Sequence, residues 1–351
     1  MASWVSCGSA RTTRAGLEKD TKLSTTLKRF LQVAGLLLLV WLAWERVDFE
    51  HLGATLGGVT PVAAVALLVV ATVDRWIMAL KWRHLANAIG LRLGTAEFVS
   101  AYYASSFLSY FLPTTLGGEI YRGYRISRRT RDPARVAASM VAEKMVSVLA
   151  TVVIAWLGLG YLIGTRVAPE SMSVFGVLLL VSVGVFVAFS VSMNPRLHAP
   201  FLKLSQRWQK LASPLTKLST AYTSYSGQLG VLAANFLLAL FENSLQLAIL
   251  TGAALAIGIP VDPIAFVAIA SVSQFLMRLS MVFDGWGISE AVRILTYGLV
   301  GVTATDAFAV ALVGHAAVAI ASLPGAFVFF RDPARKTTGA PKTPVPEGSE
   351  S

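Results

Sequence analysis

The sequence predicts an all-α polytopic membrane protein, on three observations: composition, the spacing of long apolar stretches, and the uneven distribution of positive charge between them. Of 351 residues, 55% are hydrophobic and only 14% charged, too apolar for a soluble domain that must cover its own surface. The formal charge of +11, from 30 Lys and Arg against 19 Asp and Glu, fits basic loops held on the cytoplasmic face better than nucleic-acid binding. A lone cysteine, Cys7, excludes an internal disulfide framework and a Cys-rich metal site.

Residues 1–29 form a basic N-terminal segment carrying Arg11, Arg14, Lys19, Lys22, Lys28 and Arg29, too long and charged for an ordinary cleaved signal peptide. A spanning helix needs about 20 mostly apolar residues. On that ruler the spans are 30–47, 61–82, 136–163, 172–192, 229–258 and 306–330, within a transmembrane domain of residues 30–332. Two further apolar stretches, 98–112 and 264–282, each run into a Gly-containing polar break and a more polar helix. Residues 193–228 interleave Phe201, Trp208 and Leu211 with Arg196, Lys203, Arg207, Lys210 and Lys217. They read either as a basic amphipathic helix on the inner leaflet or as an ordinary cytoplasmic loop. Residues 333–351, rich in Pro, Thr, Gly and Glu, read as a disordered cytoplasmic tail.

Positive charge sets the orientation. The N-terminal segment and the loop opening with Lys81 and Arg83 are basic, whereas the 45–60 loop holds Glu45, Asp48 and Glu50 against Arg46. Both termini are therefore expected on the cytoplasmic side of the cytoplasmic membrane. Arg122, Arg125, Arg128, Arg129, Arg131 and Arg135 would lie outside if 98–112 crossed completely. The simplest repair is a hairpin that enters from the cytoplasm, breaks at Pro113 to Gly118 and returns through about Ser127. Irregular backbone at membrane depth is tolerated only where it is buried or lines a wet cavity. Residues 264–302, breaking around Asp284 to Gly287, are expected to form a second hairpin from the other leaflet. The result is about six full spans plus two opposed re-entrant hairpins, in an inverted repeat.

The two breaks echo each other. Gly117-Gly118-Glu119-Ile120-Tyr121-Arg122 and Gly285-Trp286-Gly287-Ile288-Ser289-Glu290-Ala291-Val292-Arg293 both set a Gly-rich turn before Glu-x-x-Arg. Residues three apart share a helix face, so Glu119 with Arg122 and Glu290 with Arg293 can pair along one stripe. Glycines allow unusual dihedrals, and a half-helix N-terminus offers free N–H donors. Paired half-helix ends of this kind build midplane substrate sites; the bland alternative is a chance echo with first-turn acids. Asp74, Arg75, Glu143, Lys144, Glu242, Arg278 and His315 are flagged as ionisable groups within membrane segments. Asp74 and Arg75 also read as interface anchors, Lys144 as a snorkelling side chain, and His315 as a packing residue. Glu143 and Glu242 lie deeper and call for a basic partner such as Arg122 or Arg293.

Known catalytic chemistry is not visible. There is no G-x-x-x-x-G-K-[ST] loop for ATP, no H-E-x-x-H or Cys/His spacing for zinc, and no G-x-S-x-G elbow. Neither cofactor nor metal is expected, and the chain does not read as an enzyme.

The run from Trp82-Arg83-His84-Leu85 through Leu112-Pro113-Thr114-Thr115-Leu116-Gly117-Gly118-Glu119-Ile120-Tyr121-Arg122, followed by Ala142-Glu143-Lys144, resembles the transmembrane-region family of lysylphosphatidylglycerol synthases, also called flippase-like proteins. Gly285-Trp286-Gly287-Ile288-Ser289-Glu290 matches that family's second Gly-rich turn, and the resemblance spans about residues 25 to 332. The family commonly has Glu-Arg where Glu143-Lys144 stands, and Pro with Gly-Gly where Asp284 and Trp286 stand. The soluble aminoacyl-transferase domain of full-length synthases has no counterpart in these residues, so lysyl-lipid synthesis by them alone is not expected.

The resemblance implies flipping or scrambling of a lipid, or lipid-linked headgroup, between leaflets, with an anionic phospholipid or a polyprenyl-phosphate-linked molecule as substrate. Relatives belong to aminoacyl-phospholipid, polyprenyl-phosphate glycan and hopanoid pathways. The candidate substrate-binding residues are Glu119, Arg122, Glu143, Lys144, Glu290 and Arg293, with Gly117, Gly118, Gly285 and Gly287. Two alternatives stay open: a small-solute or ion secondary transporter, and an accessory or enzymatic subunit of a glycolipid or polyprenyl-phosphate pathway with an enzyme partner.

Overall fold

The computed structural model describes residues 49–110, 116–166, 172–193, 223–225, 227–279 and 288–331, and among them there is no strand. The helices are α1 (Phe49–Gly57), α2 (Pro61–Ala88), α3 (Thr95–Ser109), α4 (Leu116–Thr130), α5 (Pro133–Gly164), α6 (Met172–Met193), α7 (Leu229–Ala256), α8 (Pro263–Leu279), α9 (Ile288–Tyr297), α10 (Ala304–Ser322) and α11 (Pro324–Phe330). Four of them, α2, α5, α7 and α10, are long and apolar enough to cross a membrane. The chain is a multi-pass membrane protein.

Local chemistry sets the helix ends. Thr60-Pro61 opens α2 and Asp132-Pro133 opens α5, the cap side chains accepting from Ala63 N (3.3 Å) and Arg135 N (3.0 Å). Proline is preset for the first helical position, where its missing N–H costs nothing. Helices α2 and α7 close alike. Gly90 and Gly258 take φ of +87° and +77°, while Leu91 N donates to Ala86 O and Ile259 N to Ala254 O. This is the Schellman ending that a left-handed glycine makes available.

Several sequence expectations shift. The 61–82 span continues to Ala88 because nothing breaks the helix before Gly90, which moves Lys81 from a loop into α2. The 45–60 segment holds a helix, α1, whose Leu52 packs on Ala309 of α10. The 306–330 span divides at Pro324, which has no N–H to give and clashes with the preceding turn. Helix α4 starts at Leu116, so Gly117 and Gly118 lie in its first turn rather than in the break. Span 30–47, the N-terminal segment, the tail, most of 193–228 and the break residues Pro113 to Thr115 and Asp284 to Gly287 lie outside the described residues.

Helices α2 and α7 run antiparallel. Asn235 Nδ2 donates to Lys81 O (2.8 Å), Tyr225 OH to Leu85 O (2.8 Å), and Gly252 lies against Leu67. Two apolar cores result. One joins the C-terminal half of α2 to α3, the N-terminal half of α5 and the start of α7; the other joins the N-terminal part of α2 to the C-terminal half of α5, the end of α7, α8, α9 and α10. Helices α3 and α4 pack together at one end of this bundle, and α8 and α9 at the other. The pairings parallel each other: α2 with α5 and α7 with α10, α4 with α5 and α9 with α10.

Close approach depends on small residues. A Cβ on Gly158 of α5 would lie 2.1 Å from Ser271 Oγ and 2.6 Å from Ala268 O of α8. Gly158→Leu is therefore expected to lower the thermal midpoint of the detergent-purified protein, by roughly 1–3 kcal/mol of overpacking. Gly160→Leu, where a Cβ meets nothing within 4 Å, should leave it unchanged. Equal midpoints by circular dichroism would show that α5 and α8 do not need this contact.

Candidate functional site

A polar layer crosses the helices between the two apolar cores. On α5, Ser139, Glu143, Ser147 and Thr151 recur at one-turn intervals and all are buried. Each meets a different residue. Trp82 Nε1 donates to Ser139 Oγ (3.0 Å), Arg122 pairs with Glu143 (2.9 Å), Lys81 Nζ donates to Ser147 Oγ (2.7 Å), and Thr151 Oγ1 donates to Asn243 Oδ1 (3.0 Å).

At the α2–α7 crossing Lys81 and Glu242 form an ion pair with both side chains 1% exposed. Gln246 Nε2 donates to the other Glu242 oxygen (2.9 Å), and Gln274 of α8 extends the chain to Gln246. Asp74, fully buried, holds Arg75 at 2.6 Å, and Arg75 reaches Ser106 of α3 at 3.5 Å. Asp74 and Glu242 hold the same position counted from the first residues of α2 and α7. Both Asp74 and Arg75 sit midway along α2.

The first Glu-x-x-Arg motif is split between partners on α5. Glu119 pairs with Lys144, and Arg122 with Glu143; pairing within the motif was the sequence expectation. The reason is geometric. A Cβ on Gly118 would fall 2.5 Å from Ser105 O and 2.1 Å from Ser109 Oγ, so bare glycine lets α4 lie on α3 while its other face meets α5. Arg122, 2% exposed, lies between the rings of Trp82 and Tyr102, each 4.7 Å from its guanidinium carbon. That is a desolvated double cation–π contact. The Glu119–Lys144 pair is half-exposed at the edge, with side-chain exposures of 23% and 37%. Glu143 thus takes the partner anticipated for it, whereas Glu242 takes Lys81.

The second motif meets α10. Glu290 lies 3.2 Å from His315 Nδ1, and Arg293 Nη1 lies 3.3 Å from His315 Nε2. His315, read from sequence as packing, therefore bridges the motif's acid and base. Gly285 and Gly287 fall outside the described residues. Among those described, no cluster of His, Cys, Asp or Glu could hold a metal ion.

Sequence reasoning missed Lys81, the aromatic cover on Arg122, and the bridging role of His315. For Lys81 a signal existed: no breaker separates it from Asp74, and the two lie two turns apart on one face. For Trp82 and Tyr102 no local signal exists, since both are ordinary core aromatics until α4 is placed beside them.

Comparison with known families matches residues 29–325 to the lysylphosphatidylglycerol synthase TM region. The chain belongs to this family. Neither a curated protein nor a solved structure matches it. Membership in the lysylphosphatidylglycerol synthase TM region family brings a lipid-related function in the membrane.

The Lys81–Glu242 pair gives a stability test. Lys81→Met or Glu242→Leu alone leaves a buried charge without its partner and should cost about 3–5 kcal/mol. The double variant removes both charges and should recover most of that loss. Denaturant titration of the detergent-solubilised protein measures it; additive losses would show that the pair is not coupled.

Proposed function

We propose that this lysylphosphatidylglycerol synthase TM region protein moves a lipid, or a lipid-linked polar headgroup, between the leaflets of the cytoplasmic membrane. The single observation that carries the reading is the set of buried paired charges and amides within and between the helices of the bundle. Burying such groups in hydrocarbon is costly, and a purely structural bundle would do as well with apolar side chains there. A sheltered polar path is what a headgroup needs while its acyl tails stay in lipid.

Two features support an inverted repeat around that path. The antiparallel α2 and α7 end in the same Schellman turn, and the α3–α4 and α8–α9 pairs sit at opposite ends of the bundle. Helix α3, with 15 residues, covers about 22 Å at 1.5 Å per residue, short of the roughly 30 Å hydrocarbon core. This shortness supports a re-entrant course for α3–α4, and by analogy for α8–α9. The basic surface of α4, where Arg129 pairs with Glu97 at 2.9 Å and Arg125 donates to Ser100 at 3.3 Å, supports a cytoplasmic position for that end under the positive-inside rule. Membrane lipids with an anionic headgroup are the substrate class, with Glu119, Arg122, Glu143, Lys144, Glu290 and Arg293 lining the route.

Reconstitution tests this. Vesicles holding the protein and a fluorescent phosphatidylglycerol should lose, on addition of a membrane-impermeant quencher, well over the outer-leaflet half of the signal. Glu119→Gln with Lys144→Met, a neutral exchange of the half-exposed pair, should slow that loss roughly tenfold. Quenching no greater than in protein-free vesicles, for phosphatidylglycerol and a polyprenyl phosphate alike, would sink the reading. Uptake of a small solute in the same vesicles would favour a secondary transporter instead.

A further inference from the structure

The two halves treat their arginines differently. Lys144 in α5 and His315 in α10 hold the same position counted from the first residue of each helix. Glu119 and Arg122 precede α5 by the same interval as Glu290 and Arg293 precede α10. Contacts obey this register: Glu119 meets Lys144, and Glu290 meets His315. At the neighbouring position the parallel fails. Where α5 carries Glu143 against Arg122, α10 carries Gly314.

The ring over Arg122 is lost in the same register. Trp82 corresponds to Leu250 when α2 and α7 are aligned from their first residues. A Cβ on Gly314 would sit 3.4 Å from Leu250 Cδ2, so the helix pairing is preserved while carboxylate and indole are both absent.

Arg293 is consequently a guanidinium only 7% exposed, with no carboxylate at ion-pair distance among the described residues. Its hydrogen-bonding neighbour is His315 Nε2 at 3.3 Å, and its Nε makes no hydrogen bond. Nε2 can accept from Arg293 only in the tautomer that puts the ring hydrogen on Nδ1, the nitrogen 3.2 Å from Glu290, and even then the imidazole satisfies one of five guanidinium N–H groups. The Tyr297 hydroxyl, one turn along α9, faces Arg293 closely enough to interact with it, although the pair does not meet strict hydrogen-bond geometry. A buried cation in this state is costly unless an anion joins it, and a guanidinium fork matches phosphate oxygens two at a time.

We propose that Arg293, with His315 and Tyr297 beside it, binds the phosphate of an anionic phospholipid headgroup in the place that Glu143 fills in the other half. Arg122 is closed by its own protein's carboxylate and two rings; Arg293 is open to the substrate's charge. This rests on the translocation reading and names its headgroup chemistry. It also assigns Gly314 a specificity role: the absence of a side chain there keeps the arginine free.

The test uses the full chain, purified and exchanged into bilayer discs, with phosphatidylglycerol as probe and a phosphate-free diglucosyl-diacylglycerol as control, read as lipid retained by mass spectrometry. Arg293→Ala should lower phosphatidylglycerol retention roughly tenfold without changing glycolipid retention. Gly314→Glu should do the same, because the new carboxylate takes Arg293 as Glu143 takes Arg122. Gly314→Gln, of equal size but neutral, should retain phosphatidylglycerol within about twofold of the unaltered protein. Thermal midpoints of the three variants guard against unfolding.

Equal retention in Arg293→Ala and the unaltered protein, or equal loss in Gly314→Glu and Gly314→Gln, would overturn the assignment. Labelled inorganic phosphate that binds with the same Arg293 and Gly314 dependence, when phosphatidylglycerol does not, would make the ligand a free anion and remove the lipid. Arg293-dependent phosphatidylglycerol binding without movement in vesicles would remove translocation and leave the site. Movement indifferent to Arg293→Ala and Gly314→Glu would do the reverse.

Discussion

The ion pair between Lys81 and Glu242 stands where α2 crosses α7, and most of the interior is arranged around it. Two oppositely charged groups, each 1% exposed, are tolerable inside an apolar bundle only if they find each other and satisfy their remaining hydrogen-bonding capacity. Ser147, Gln246 and, through Gln246, Gln274 supply that satisfaction from α5, α7 and α8. The pair therefore sets the register of the antiparallel helices and draws two more helices toward the same level. Apolar cores fill the space on either side.

From this constraint the placement of the Glu-x-x-Arg helices follows. Helix α4 can reach Glu143 and Lys144 only because α5 is held with that face toward α2, and only because Gly118 lets α4 lie close on α3. Helix α9 meets α10 in a corresponding way through His315. The chemistry at the two ends is unequal. One arginine is neutralised within the protein and covered by Trp82 and Tyr102; the other has an imidazole for company.

Much of the fold was legible in the sequence because apolar length and helix caps are local properties. Helices α5 and α7 fell close to their expected bounds, and the Glu-x-x-Arg echo picked out α4 and α9. Where the reading failed, a local ruler had been applied too strictly. Ending the second span at residue 82 left Lys81 at its very edge and counted with the loop charges, although the stop signal, Gly90, lies further on. Running 306–330 as one span ignored Pro324. Of the candidate site residues, Glu119, Arg122, Glu143 and Lys144 are brought together, as are Glu290 and Arg293 with His315. The partners within each group differ from those that helical spacing alone suggests, because an i, i+3 neighbour competes with a side chain delivered by another helix.

The sequence by itself determined that this chain belongs in a membrane, roughly where its long helices lie, and that charged residues recur beside two Gly-rich motifs. These follow from transfer of apolar surface out of water, from the N–H groups left free at helix ends, and from the dihedral freedom of glycine, all settled within a few residues of chain. Only the tertiary structure decided which charge neutralises which. A buried ion pair is a relation between helices far apart in sequence, and its partners are chosen by crossing geometry that no local pattern records. Lys81 with Glu242, Arg122 with Glu143, and Arg293 with no carboxylate among the described residues are outcomes of that geometry.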